Sequence, residues 1–560
     1  SRSSLVRANA RPIAPLITCE GYPSAVNSLS LLVTLSVNPS SSLAIATTLS
    51  RHPTRGEVLQ DEGAGLGGQM NTGIHYQVAN PVTPGTTFGF VGDYFEVYSP
   101  PITSRYAGVV WRVLEPVPLP EAIMKAYNNS VMAVTGYEVD VVRTDSHGKE
   151  SRVPAFESYN HHFTAALRGP GAQLLTPAGT PNLRHLHFGR APELAGAAAL
   201  ADGIPRVQNF NEHNGNEARQ TYHSLPKGYV QPIFSPQDFI FNPMQINTKN
   251  PDGSGTRGGP LPRASAAPAG APYSGILECP CTTRVVKDLN QSTIDGRVFN
   301  PQCAPDARRS DLLTKGNPTC SVATYVGGME CCRDSDIILD ADQPQPEPVD
   351  EVRFKWRFYH EPYDGRRHKP TIHLEWAVNG CDSGGGQPNP WNCAHIEYDA
   401  VASPPGTPPA NAIHEVVSHF RAIDMFSPDG CDPVTQAYCA DAKVAAARGG
   451  GVQLVMAGGH CHSPSCLSLE LWNEDTGESL CKITPRRGQG DEVYDEKGYL
   501  FLPPCQWSET DPQLPRPPLL RLDANLSTVK RTNTTHYHYG VMGIWQMRGA
   551  YLPPDTMRAA

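Results

Sequence analysis

The stretch Val352-Arg353-Phe354-Lys355-Trp356-Arg357-Phe358-Tyr359 decides the fold class. Apolar and charged side chains alternate with a period of two, which is the period of a strand resting one face on a core. A helix would need apolar spacings of three and four. The pattern predicts a half-buried antiparallel strand, and residues 372–378 repeat it. Working outward, residues 467–472 and 479–483 flank a turn at 473–477 and read as a hairpin. Further strand signals stand at 519–522 and 540–547. Upstream, 106–114, 134–142 and 239–247 are rich in β-branched and aromatic residues, the last interrupted by Pro243.

Composition agrees. The chain has 560 residues, too many for one ordinary core, so two to four domains are expected. Charged residues are 18% of the chain, with 54 Pro and 50 Gly, which favours short strands and ordered loops over helical bundles. A formal net charge of −9 argues against nucleic acid as a partner. The chain lacks the run of about 18 apolar residues that a membrane span needs, so none is expected.

The 15 cysteines lie almost all after residue 278. Disulfides are expected among Cys279, Cys281, Cys303, Cys320, Cys331, Cys332, Cys381, Cys393, Cys481 and Cys505, with a zinc knuckle as the alternative for the first group. Sequons at Asn128, Asn290, Asn525 and Asn533 predict N-glycans. Together these features predict a secreted protein, with Ser1 as a processed start. The expected organisation is an N-terminal extension or arm (1–86), a first β-sandwich (87–250), a linker and Cys-rich bridge (251–349), a second β-sandwich (350–552) and a short tail (553–560). The arm is a candidate for self-assembly by strand addition. The fold class is therefore mainly β: two antiparallel, jelly-roll-like sandwiches joined by a disulfide-rich bridge.

Candidate metal ligands come from histidine spacing. His460 and His462 follow the apolar run 452–457, and residues two apart on a strand point to one side. Met542, in a second strand-like run, offers a thioether. Two imidazoles and a thioether suit copper better than zinc, magnesium or calcium. His161 and His162 are adjacent, so a regular strand would send them to opposite faces, and joint ligation needs a bulge or a strand end. His414 and His419 are five apart, which is the wrong spacing for a zinc-protease helix, and 413–420 alternates like a strand.

An ordered set of motifs carries a resemblance. It runs through Tyr159-Asn160-His161-His162-Phe163, Gly215-Asn216-Glu217-Ala218-Arg219, Leu277-Glu278-Cys279-Pro280-Cys281 and Gly328-Met329-Glu330-Cys331-Cys332. It continues through Asn392-Cys393-Ala394-His395-Ile396-Glu397-Tyr398, Gly459-His460-Cys461-His462 and His538-Tyr539-Gly540-Val541-Met542-Gly543. This order, over residues 88–552, resembles the plant stress-up-regulated nodulin (SURNod) family. More distantly it is similar to peptidylglycine α-hydroxylating monooxygenase. The resemblance implies one copper on His161, His162 and a third histidine of the first domain, and another on His460, His462 and Met542. Asn247 stands where that third histidine is expected. It further implies hydroxylation of a C–H bond with dioxygen, and ascorbate as reductant. A catalytically inactive extracellular matrix or fibre subunit that keeps the fold is the other expectation.

Overall fold

The computed structural model describes chiefly residues 93–249 and 349–557, apart from intervening segments, with a few short strands outside them. The first set of strands is β1 (Asp93–Tyr98), β2 (Val109–Trp111), β3 (Val131–Thr144), β4 (Ser158–Arg168), β5 (Val207–Asn209), β6 (Tyr229–Phe234), β7 (Asp238–Asn247) and β8 (Asp350–Pro362). An eight-stranded sheet holds β1, β8, β3 and β6 as successive neighbours, and a five-stranded sheet holds β5, β4, β7 and β2. Phe95, Val139, Phe354, Trp356 and Phe358 of the first sheet meet Phe163, Leu167, Phe239 and Phe241 of the second in one buried core. Each such side chain contributes about 2 kcal/mol by leaving water.

The sequence pattern puts β8 at the head of the second sandwich with one face in water. In the structure it lies in the first sandwich, between β1 and β3, and both faces are covered. Alternation identifies an apolar face but not which sheet receives it. The charged face is buried because it is matched: Lys355 Nζ lies 3.0 Å from Glu150 and 3.4 Å from Glu96, and Arg357 donates to Glu96 at 2.6 Å. β7 runs unbroken through Pro243. Along the edge that β7 shares with β2, Leu114 N–H donates to Phe241 O and Asn247 N–H to Gly108 O, so the odd-numbered residues face this edge. Pro243 lies on it between the partners of Trp111 and Val117, where pairing is interrupted. The missing N–H therefore costs no ladder bond.

The second set is β9 (Lys369–Pro370), β10 (Ile372–Ala377), β11 (Glu397–Ala400), β12 (Ile413–Arg421), β13 (Gly451–His460), β14 (Cys466–Asn473), β15 (Glu478–Ile483), β16 (Cys505–Gln506), β17 (Leu519–Arg521), β18 (Asn525–Asn533), β19 (His538–Met542) and β20 (Ile544–Leu552). A five-stranded sheet orders β10, β20, β13 and β16, with β17 also on β13, and faces a four-stranded sheet ordered β12, β18, β14, β15. Leu374, Trp376, Phe420, Leu454, Leu469, Leu471, Trp545 and Met547 fill the space between them. The hairpin read from sequence is β14–β15, and 413–420 is strand β12.

Two disulfides are seen among the described residues. Cys481–Cys505 joins two of the expected candidates across the sandwich. Cys461–Cys466, outside the expected set, ties the end of β13 to the start of β14. Cys431 is disulfide-bonded as well. Cys279, Cys281, Cys303, Cys320, Cys331, Cys332, Cys381 and Cys393 lie outside the described residues, as do Asn290 and nearly all of the N-terminal extension.

Both sandwiches belong to the compact unit Thr47–Ala560. β6 pairs with β9 in parallel, Tyr229 donates to Gln453 at 2.9 Å, and the Asp432 carboxylate accepts the backbone N–H groups of Arg206 and Val207 at 2.5 and 2.9 Å. These bonds join the two sets of strands along a shared seam.

Candidate functional site

The seam is where the histidines meet. Along β4 and β7 the register slips between Asn160 and His162: Asn160 stands opposite Gln245, and His162 opposite Met244. One extra residue, His161, is thereby inserted into β4 as a bulge. This is the irregularity that adjacent histidines need in order to share a site. Both rings are buried and their centroids lie 5.0 Å apart. The ring of Trp111 meets His162 edge-on at 5.1 Å, and Tyr159 meets His161 at 5.5 Å.

His460 ends β13 and is 1% exposed. Gly459 before it allows the strand to close on the sheet behind, since a Cβ there would sit 2.6 Å from a methyl of Leu469 and 3.0 Å from one of Ile483. The His460 ring centroid lies 5.5 Å from that of His161. The two histidine groups, assigned by sequence to separate domains, thus form one contiguous cluster.

Met542 is the last residue of β19, opposite Glu397, and lies two residues before Ile544, which stands opposite His460. The backbone brings Met542 to the His460 end of the sheet, with Gly543 interrupting the run expected to be one strand. His462 lies outside the described residues. Asn247 does not join the cluster. It stands opposite Ser158, donates to Ser104 O and Oγ at 3.2 and 3.3 Å, and accepts the N–H of Lys249 at 3.0 Å. Among the described residues, no three His, Cys, Asp or Glu side chains gather tightly enough to hold an ion by themselves.

A charged network on the same sheet face escaped the sequence reading. His373 and Glu375 on β10 stand opposite Arg548 and Gln546 on β20, and Arg548 and Gln546 stand opposite Met456 and Gly458 on the His460 strand. Arg548 Nη1 contacts His373 Nδ1, His373 Nε2 contacts Glu375 Oε1, and Gln546 donates to that same oxygen at 3.1 Å. All four are buried. The legible signal was His-x-Glu on a strand. His419 is exposed and paired with Glu474 at 2.6 Å, while burial and the nearby Lys530 push His414 below the usual histidine pKa range; both lie on β12, away from the cluster.

Of the sequons, Asn128 is exposed after the short helix α1 (Glu121–Ala126), and Asn525 is exposed at the start of β18. The Asn533 side chain is half-buried and accepts from Thr535. Among the described residues no helix is long and apolar enough to cross a membrane.

No family model and no curated protein matches the chain. A solved structure of a conjectured secreted protein from Parabacteroides distasonis aligns with 7% identity over 85% of this chain and 97% of that chain. Its TM-score is 0.13, too low to carry an argument.

Proposed function

We propose that this chain is a secreted copper-binding protein of the two-sandwich monooxygenase type, with His161 and His162 at one metal position and His460, His462 and Met542 at the other. The observation that carries this reading is the packing of His161 on His460. Two imidazole groups from distant parts of the sequence reach one buried seam, and an aqueous role would not require that. The donor chemistry fits copper, since imidazole serves both of its oxidation states and thioether favours the reduced one. Copper held there would supply one-electron chemistry with dioxygen: one oxygen atom enters a substrate C–H bond, the other leaves as water, and ascorbate gives two electrons and two protons.

The chain's own part is positioning and exclusion of water. The bulge at His161 turns both imidazoles of β4 into the seam. Trp111 and Tyr159 restrict their rings from the sides. The clamp at Asp432 and the β6–β9 pairing hold the two histidine groups in contact. Buried disulfides support secretion, because such bonds persist in oxidising compartments. Asn128 and Asn525 are the sequons best exposed for N-glycans.

One observation favours the second reading, an extracellular assembly protein without turnover: the amide of Asn247 is engaged by Ser104 and Lys249. Self-assembly would then use the N-terminal arm. Copper content after reconstitution, with ascorbate-dependent oxygen uptake, decides between them. Bound copper with oxygen uptake coupled to a hydroxylated product supports the enzyme; copper without uptake supports the scaffold. Wild-type protein that takes up no copper overturns the copper assignment altogether.

A further inference from the structure

The run that supplies the expected third ligand also supplies Met244. Three residues apart on a strand, Met244 and Asn247 face opposite sides. Asn247 faces Ser104. Met244 stands directly opposite His162 on one side and directly opposite Trp111 on the other. Residues opposite one another share a face, with Cβ atoms about 4.5–5.5 Å apart. β4 and β2 flank β7, so the Cα atoms of His162 and Trp111 are two strand spacings apart, about 10 Å. Their ring centroids are nonetheless 5.1 Å apart. Both rings therefore lean inward across β7, over the side chain of Met244. Met244 is 1% exposed and belongs to neither of the two main cores.

We propose that Met244 is a thioether donor to the metal position of His161 and His162, in place of the histidine that Asn247 replaces. This rests on the copper reading above. The bulge lets both histidines share it: continuing the Asn160–Gln245 register without a slip would set His161 opposite Met244 and turn His162 to the other face, opposite Pro243. A neutral sulfur adds no charge to a buried site and biases it toward the reduced metal. A histidine at 247 would project from the wrong face of β7.

The probe is Cu(I), titrated anaerobically against a chromophoric chelator, with copper-edge X-ray absorption to detect sulfur ligation. Met542 contributes sulfur of its own, so the decisive protein is Met542→Leu. It should keep a Cu–S component that disappears in Met542→Leu/Met244→Leu, a substitution that conserves volume. Met244→Leu alone should weaken Cu(I) binding by about tenfold, and leave Cu(II) binding within twofold. Met542→Leu protein that holds copper with no Cu–S component would overturn the proposal and leave Met244 as packing against Trp111; this measurement does not depend on any Met244 variant folding. Wild type that takes up no Cu(I) would instead overturn the copper reading together with this one.

Discussion

The two sandwiches deliver imidazoles to the seam in different ways. The second keeps its irregularity away from the site: β13 slips against β20 between Leu454 and Met456, then pairs in register to its end, where glycine at 459 gives clearance and His460 faces inward by alternation. The first puts its irregularity at the site: β4 slips by one residue, and two neighbouring histidines are brought together where a regular strand would turn them to opposite faces. Each sandwich also buries another histidine differently. His373 is charge-linked to Glu375 and Arg548, whereas His360 accepts or donates a single 2.7 Å bond with the Tyr127 hydroxyl and its Nε2 has no hydrogen-bond partner. A ligand position is thus local to a strand in one half and dependent on a neighbour's register in the other.

The largest expected effect is on the charged network. Arg548→Met removes the cation that reaches Glu375 through His373, leaving that buried pair without it, and should cost about 3–5 kcal/mol in urea unfolding. A loss under 1 kcal/mol would show that the second sandwich does not depend on it. Next comes His360, whose pKa burial pushes down to about 4, against a small opposing pull from Asp93. The folded state therefore disfavours the imidazolium. The associated stability is fully present above pH 6.5, the ordinary histidine value, and is lost as pH falls from 6.5 toward 4, by about 3 kcal/mol. Unfolding series at pH 7.5 and 4.5 should show this loss, and His360→Gln should flatten it.

At the site itself, His161→Ala should weaken copper binding by about 100-fold, or about 2.7 kcal/mol, and lower occupancy at both positions, because its ring touches both His162 and His460. His162→Ala should affect the first position only. Equal effects from the two variants would show that the bulged residue has no bridging part between the two positions. The smallest effect is expected from Gly459→Ala. The added methyl meets Leu469 and Ile483 and should cost about 1–2 kcal/mol, measured by thermal unfolding, with histidine packing shifted at the end of β13 only.

These differences explain what the sequence could reveal. Period-two alternation made β8, β10 and β12 legible as strands, because one apolar face leaves its mark whatever the partner. It was silent about the sheet that β8 joins, and about the Glu96 and Glu150 carboxylates that let its charged face go dry. His460 was legible as an inward-pointing candidate because it ends a clean run. The shared facing of His161 and His162 depends on a slip against β7 that no local pattern announces. Asn247 was placed by resemblance alone, and facing is a property of the pairing, which put Met244 on the histidine side. Cys461–Cys466 depended on where two strands end and begin, information that cysteine counting does not contain.

The position of β8 has a consequence for how the protein is made. During vectorial synthesis, residues 93–249 emerge with β1 and β3 but without the strand that lies between them. That strand follows about a hundred residues later, so the first core stays open until Pro362 has left the ribosome. Its apolar edges must be shielded for that interval, and a high contact order slows closure further. A nascent chain halted near residue 250 should be a client for chaperones and a target for proteases, while one halted past residue 362 should resist both.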